Sequence, residues 1–282
     1  METLTTPRAM QRWADQVRQA GRCIGLVPTM GYLHEGHLSL VHEAQRRCDC
    51  CVVSIFVNPL QFGPREDLSQ YPRDLGRDTA LLRQANVDVV YVPEVAAMYP
   101  EGFQTEVQVT EVTRGLCGAS RPGHFRGVTT VVAKLFNAVK PHVAVFGTKD
   151  FQQLVAIRRM VADLDFDVDI VGAPIVRETD GIAMSSRNAY LSVPEREAAR
   201  CLSRALAAGQ DLVRHGEKRA AAVREAVHRT LAAEPLARVD YVELVDPETL
   251  RAVDEISGPM LLALAVFVGR TRLIDNALIG AA

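Results

Sequence analysis

The stretch Gly25-Leu-Val-Pro28-Thr-Met30-Gly31-Tyr-Leu-His34-Glu-Gly-His37-Leu-Ser-Leu-Val-His42 decides how the chain is read. An apolar run ends at Pro28, a glycine-bearing loop follows, and His34 and His37 open an amphipathic segment. The order is strand, turn, helix start. Such a junction gathers unpaired backbone N–H groups and the positive end of a helix dipole, which suits an anion. If the helix starts near Glu35, the two imidazoles lie one turn apart and can face the same ligand. The spacing is not that of a metalloprotease, which needs two histidines four apart. A plainer alternative has one histidine capping the helix and the other facing solvent.

Outward from this stretch, short Val/Ile-rich runs alternate with helical patterns. The order is strand at Cys23–Val27, helix from about His37 to Arg47, strand Cys51–Val57, helix Leu75 to Asn86 and strand Val87–Val92. It resumes with helix Thr129–Val139, strand Val143–Phe146, helix Phe151–Ala162 and strand Val168–Val171. This is the rhythm of βα units around a parallel sheet, which binds ligands at the carboxyl ends of its strands near a switch in strand order. Composition changes after the loop running from Arg177 to Asn188. Pro194 then opens an alanine- and arginine-rich helical region to about Ala233, followed by alternating runs at Val239–Val245 and Leu261–Val268. The expected division is a first domain over 1–176, a hinge loop over 177–187 and a smaller α+β domain over 188–282.

The chain has 282 residues, 48% of them hydrophobic, which is ample for a real core. A formal charge of −2 and a pI near 6.4 provide no basic field for nucleic acid, so the expected partner is small. Met1 to Ala20 is polar and reads as an amphipathic helix after Pro7 rather than a signal peptide, and no apolar stretch is long enough to span a bilayer. A cytoplasmic protein is expected. Cys23, Cys48, Cys50, Cys51, Cys117 and Cys201 contain no Cys-x-x-Cys pair, which favours reduced thiols over a metal site.

Three further groups could carry chemistry. Ser54-Ile-Phe-Val-Asn58-Pro-Leu-Gln61-Phe-Gly63 ends a strand in neutral amides that can read a hydroxyl or carboxylate without adding charge, although Asn58-Pro is also ordinary turn chemistry and Gln61 could simply be exposed. In Phe146-Gly147-Thr148-Lys149-Asp150-Phe-Gln-Gln153, Lys149 suits phosphate, and Asp150 either caps a helix or accepts from a ribose hydroxyl. Met184-Ser185-Ser186-Arg187 sets two hydroxyls and a guanidinium after an Asp-Gly turn, a composition suited to closing over polyphosphate. There is no Walker A motif and no Gly-x-Gly-x-x-Gly, so phosphate-binding groups must come from scattered loops.

Together these motifs resemble the pantothenate synthetase (pantoate–β-alanine ligase) family over nearly the whole chain. Pro28-Thr-Met-Gly with His34-Glu-Gly-His37 is similar to that family's HIGH box, and Met184-Ser-Ser-Arg187 to its KMSKS loop. Asn58-Pro-Leu-Gln61-Phe-Gly, Arg121-Pro-Gly-His-Phe-Arg-Gly127 and Phe151-Gln-Gln-Leu complete the likeness. The resemblance implies a Rossmann-like, doubly wound α/β fold of the HIGH-type nucleotidyltransferases with a smaller α+β lid domain. It also implies condensation of pantoate with β-alanine through pantoyl adenylate, with ATP as substrate, Mg²⁺ on its phosphates, and a homodimer; that neither nucleic acid nor membrane is a partner is expected from the charge and hydropathy above.

By the same resemblance His34, His37, Lys149, Ser185, Ser186 and Arg187 are the catalytic positions. Met30, Gly31, Gly147, Thr148, Asp150, Val176 and Met184 join them around ATP. Gln61, Gln153, Pro28 and Met30 would bind pantoate, with Gln61 also beside β-alanine and Asn58, Tyr71 and Arg121 completing the site; no protein ligand to a metal is implied. Cys117 and Thr148 stand where the family usually has glutamate. The competing readings are a simple nucleotidyltransferase acting on a related small acid or phosphate acceptor, and a non-catalytic nucleotide sensor.

Overall fold

The structure, a computed structural model, describes residues 1–64 and 66–280 and divides into two compact units. The first comprises Met1–Thr110, Arg121–Thr148 and Gln153–Pro174; the second takes Glu111–Ser120, Lys149–Gln152 and the chain from Ile175 onward.

The first unit is built on β1 (Glu2–Leu4), β2 (Ile24–Thr29), β3 (Cys50–Ile55), β4 (Val89–Tyr91), β5 (Val143–Gly147) and β6 (Asp169–Ala173). Their spatial order is β1-β4-β3-β2-β5-β6, and every pairing is parallel. Helices up to β6 are α1 (Pro7–Gln19), α2 (Glu35–Arg47), α3 (Leu75–Gln84), α4 (Val95–Met98), α5 (Leu116–Ser120), α6 (His124–Val139) and α7 (Phe151–Asp163), of which α5 belongs to the second unit. Because successive strand residues point to opposite faces, Leu26, Val52, Val89 and Phe146 pack with α1 and α6. Val27, Val53, Val90 and Val145 pack with Leu40, Val41 and Ala44 of α2 and Leu82 of α3. Both faces are covered, as continuous apolar strands require. Chain order reverses at β2, whose neighbours are β3 and β5, so the carboxyl end of β2 is a topological switch point.

Several features differ from the sequence reading, the strand Thr271–Ile279 and the helices α4 and α5 among them, and two bear on the first unit's sheet. Glu2–Leu4 forms an edge strand ahead of the amphipathic helix, held by backbone bonds from Glu2 N–H to Asp88 O (2.8 Å) and from Val92 N–H to Leu4 O (2.8 Å). Three residues carry too little pattern to announce a strand; pairing with β4 decides it. Cys23 and Cys48, expected as reduced thiols, are joined in a disulfide with Cα atoms 4.7 Å apart, because β2 and α2 bring their outer ends together. Cys50, Cys51, Cys117 and Cys201 are free and buried.

In the second unit the helical region after Pro194 is three helices, α8 (Val193–Ala199), α9 (Cys201–Arg214) and α10 (Ala220–Ala232). They cover an antiparallel sheet of β7 (Ala237–Val245), β8 (Met260–Val268) and β9 (Thr271–Ile279). Leu262, Leu264 and Val266 of β8 face Leu202, Leu206, Val223 and Val227, while Leu261 and Ala263 pack with Leu116 and Phe151. β8 is therefore buried on both faces.

Candidate active site

The loop from β2 into α2 is fixed by one buried carboxylate. Asp78, on α3 and 1% exposed, accepts backbone N–H bonds from Tyr32 (2.7 Å) and Leu33 (2.8 Å). Burial pushes its carboxyl above the usual aspartate range, against the two backbone bonds that favour the charged form. Gly31 has φ +82°, and a Cβ there would stand 3.0 Å from Asp78 Oδ2 and from Ile55 Cγ2, so any side chain at this position would be strained and crowded.

α2 then starts at Glu35, with His34 as its extended N-cap residue. The His34 backbone N–H donates to His37 Nδ1 at 3.3 Å, and the two rings lie 4.1 Å apart between centroids. An Nδ1 that accepts leaves the ring proton of the neutral imidazole on Nε2, so His37 is held as a donor at the helix start. Capping and ligand binding, posed as alternatives from sequence, are compatible in this arrangement.

The amide turn after β3 packs against the same loop. Asn58, 1% exposed, accepts from Leu60 N–H (3.3 Å) and Tyr99 OH (2.8 Å), and donates through Nδ2 to Gly127 O (3.0 Å) and Gln61 Oε1 (3.1 Å). Its hydrogen bonds shape the turn. Gln61 Nε2 donates to Met30 Sδ at 3.3 Å, which joins the amide turn to the histidine loop. Arg121 grips Glu66 through Nε (2.9 Å) and Nη2 (2.6 Å), and also donates to Gln61 O (3.3 Å). Since His124 Nδ1 lies 2.9 Å from the same carbonyl, that nitrogen is the donor and Nε2 accepts from Arg121 Nη1 at 3.0 Å. Burial alone would raise the Glu66 carboxyl, but the Arg121 hydrogen bond and charge outweigh it and hold it below the usual range. Tyr71 is buried, edge-on to Phe62 with centroids 6.0 Å apart, and Pro28 is half-buried within β2.

The second unit carries the cationic set. The 3₁₀ turn Thr148–Asp150 runs from Gly147 at the end of β5 directly into α7; Lys149 is half-buried, and its Nζ lies 3.9 Å from Asp150 Oδ2. Met184 closes a hairpin by donating its N–H to Val176 O (2.9 Å), and Ser185 caps the following 3₁₀ turn, accepting from Arg187 N–H at 3.3 Å. Asn188 Nδ2 ties the far side of the loop to Glu178 Oε1 (2.6 Å) and Ala183 O (3.1 Å), while Arg196 holds both Glu178 and Asp180. Ser186 is buried and Arg187 half-buried. The first unit thus assembles His34, His37, Met30, Gly31, Gln61, Asn58 and Arg121. The second assembles Lys149, Asp150 and the Val176 to Arg187 hairpin; Gly147, Thr148 and Gln153 belong to the first unit and flank Lys149–Gln152 in sequence. Sequence reasoning had not singled out Asp78, Glu66, Tyr99, His124 or Glu178. Only His124 carried a signal, inside the Arg121–Gly127 motif. Among the described residues no group of three or more His, Cys, Asp or Glu side chains could hold a metal ion.

The Pantoate-beta-alanine ligase family matches residues 2–278. The chain belongs to this family. It is 57% identical over 280 residues to the pantothenate synthetase of Geobacter sulfurreducens and 56% identical over 276 residues to that of Heliobacterium modesticaldum, covering 99% and 98% of their lengths with 99% and 98% of its own. The crystal structure of the Thermus thermophilus pantothenate synthetase superposes with a TM-score of 0.94 at 48% identity, over 98% of this chain and 99% of that one. A Francisella tularensis pantoate-beta-alanine ligase, complexed with Beta-gamma ATP and beta-alanine, superposes with a TM-score of 0.80 at 31% identity, over 99% of this chain and 97% of that one.

For a pantoate–β-alanine ligase, the position of Cys117 is informative. Its Sγ lies 3.3 Å from Tyr241 OH and 3.6 Å from both Nη1 and Nη2 of Arg272. Arg272 is bound in turn by Asp240, at the β7 irregularity, through Nε (3.0 Å) and Nη2 (2.7 Å), and Ser120 Oγ donates to the same carboxylate oxygen at 2.9 Å. Burial, followed by the neighbouring thiol, pushes the Tyr241 hydroxyl far above the ordinary tyrosine value. Arg272 therefore keeps a carboxylate partner without a glutamate at 117. Thr148 is half-buried in the turn before Lys149.

Proposed function

We propose that this protein joins pantoate to β-alanine in two steps on one ATP. Pantoate's carboxylate attacks the α-phosphorus, the α–β phosphoanhydride bond breaks, and pyrophosphate leaves; the β-alanine amine then attacks the acyl carbon of pantoyl adenylate, expelling AMP. The first step builds negative charge on phosphate oxygens, so it needs donors held in place beforehand. His37 Nε2–H, set by the His34–His37 bond at the start of α2, is one such donor, reinforced by the helix dipole. Lys149, Ser185, Ser186 and Arg187 supply the donors for the departing pyrophosphate. Met30, Gly31, Gly147, Thr148, Asp150, Val176 and Met184 surround the nucleotide in this reading. Gln61 and Gln153 read pantoate's hydroxyls, with Pro28 and Met30 against its methyl groups. Gln61 also borders β-alanine.

Mg²⁺ would be carried in on the triphosphate, with Asp150, whose Oδ2 lies 3.9 Å from Lys149 Nζ, as a carboxylate at hand to hold it, and when bound it would supply charge neutralisation there. We further propose a homodimer acting in the cytoplasm.

The observation that carries this reading is the bond from Gln61 Nε2 to Met30 Sδ, which seats a neutral amide suited to a hydroxy acid beside a loop suited to phosphate. Exchange of labelled pyrophosphate into ATP tests it. Exchange should require pantoate and proceed without β-alanine. Exchange with another acceptor but never with pantoate would favour a simple nucleotidyltransferase, and ATP binding without exchange a sensor.

A further inference from the structure

Two adjacent residues of β9, Asp275 and Asn276, hold the two cationic phosphate-binding elements of the second unit. Asp275 is 3% exposed, and its carboxylate takes both arms of Arg177, Nη1 at 2.7 Å and Nη2 at 3.0 Å. A bidentate guanidinium–carboxylate pair fixes orientation as well as distance. Arg177 is the base of the hairpin that ends in Ser185, Ser186 and Arg187. Arg177 bridges Ala183, Glu178 N–H bonds Ile182 O at 2.8 Å, and Arg177 Nη1 also reaches Gly181 O at 3.1 Å. The next residue, Asn276, is 7% exposed and donates through Nδ2 to the carbonyl of Lys149 at 2.9 Å. The Asn276 backbone N–H in turn donates to Asp275 Oδ1 at 2.8 Å, which couples the two anchors.

We infer that Asp275 and Asn276 are positioning residues for the pyrophosphate half of the reaction. Through them the β9 strand sets the spacing between Lys149 and the Ser185-Ser186-Arg187 loop, so that both meet the departing phosphates in register. Neither residue is assigned a contact with substrate. The inference rests on the proposed reading in which Lys149 and Arg187 act on ATP phosphates, and it extends that role to a strand whose motif-free sequence shows no sign of it. Loosening such a support displaces the working groups by a fraction of an ångström to an ångström, a shift that can cost about a hundredfold in rate.

The test separates the two half-reactions. Asp275→Asn and Asn276→Ala should each lower pantoate-dependent pyrophosphate–ATP exchange by about ten- to a hundredfold and raise the KM for pyrophosphate. Both should lower aminolysis of supplied pantoyl adenylate by β-alanine far less than they lower exchange, since no pyrophosphate takes part in that step although Asp150, Val176 and Met184 border the adenylate. The aminolysis assay also reports a folded site, and Asp275→Asn, isosteric with the native residue, serves if Asn276→Ala fails to fold. Unchanged exchange in both variants overturns the inference. So does an equal fall in both half-reactions, which marks a general structural role. Lys149→Ala run alongside keeps the levels apart. If it abolishes exchange while both β9 variants keep it, the inference alone fails. If Lys149→Ala itself keeps exchange, the reading beneath it fails too.

Discussion

His37 acts, in this account, through one nitrogen whose proton is placed by a neighbour's backbone. His37→Ala removes that donor, and His34→Ala removes the second imidazole at the helix start while keeping the backbone N–H that sets His37; each should cut pantoate-dependent exchange by about a hundred- to a thousandfold, the usual loss for one transition-state donor. Near-wild-type exchange in both variants would sink the role. Cys117 calls for the opposite expectation. A glutamate there would meet Arg272, whose Nη1 and Nη2 now rest 3.6 Å from sulfur, so Cys117→Glu should keep or improve exchange. A steep fall would mean that the thiol belongs to a rearranged site. The histidines and Lys149 stood out as candidates because each lies where a strand gives way to a helix, and Gln61 and the Ser-Ser-Arg loop because proline and Asp-Gly turns flag them. Asp78 did not. In sequence it is one acid four positions after another on a helix, and its bonds to Tyr32 and Leu33 exist only in the folded chain.

At the level of elements, β2 and α2 were readable because a buried parallel strand needs an unbroken apolar run and the loop needs its glycine. β1 was not, since edge pairing rather than its own pattern makes it a strand. Closeness between elements is equally invisible in one dimension. A Cβ on Gly127 of α6 would fall 2.3 Å from Leu60 O and 2.6 Å from Gln61 N, so the helix can seat the amide turn only without a side chain there. Gly127→Ala should destabilise the protein by about 1–3 kcal/mol through overpacking. It should also raise the KM for pantoate more than that for ATP; equal changes would argue against Gln61 as a pantoate residue. The Cys23–Cys48 disulfide closes β2 and α2 into one loop, a long-range fact that spacing could not announce. Cys48→Ser should lower stability by up to about 3 kcal/mol, measured by urea unfolding without reductant. Identical unfolding of variant and wild type would show that the bond constrains little.

For the whole molecule, burial of titratable groups in two separate cores sets the pH range of stability. On the acid side, Glu66 is held below its ordinary 4.5 despite burial, by the Arg121 pair. Its contribution is whole above pH 4.5 and is lost as pH falls through the lower folded value. Asp78 works in the opposite sense, because burial raises it above 3.8; its contribution is whole below that value and is lost as pH rises through the folded one, which blunts the acid limb. On the alkaline side, burial raises Cys51 from 9.0 to about 12 and Tyr91 from 10.0 to about 12 in the first unit, and Cys201 from 9.0 to about 11 in the second. Unfolded thiols ionise from pH 9.0 while their folded counterparts stay protonated, so both cores lose stability as pH climbs from there toward 12. Urea midpoints taken across pH should therefore form a plateau with two falling limbs. Glu66→Gln should flatten the acid limb further, and Cys51→Ala paired with Cys201→Ala the alkaline one, at some cost in overall stability from lost packing. A wild-type midpoint that stays level from pH 9 to 12 would contradict the burial of these thiols as neutral groups.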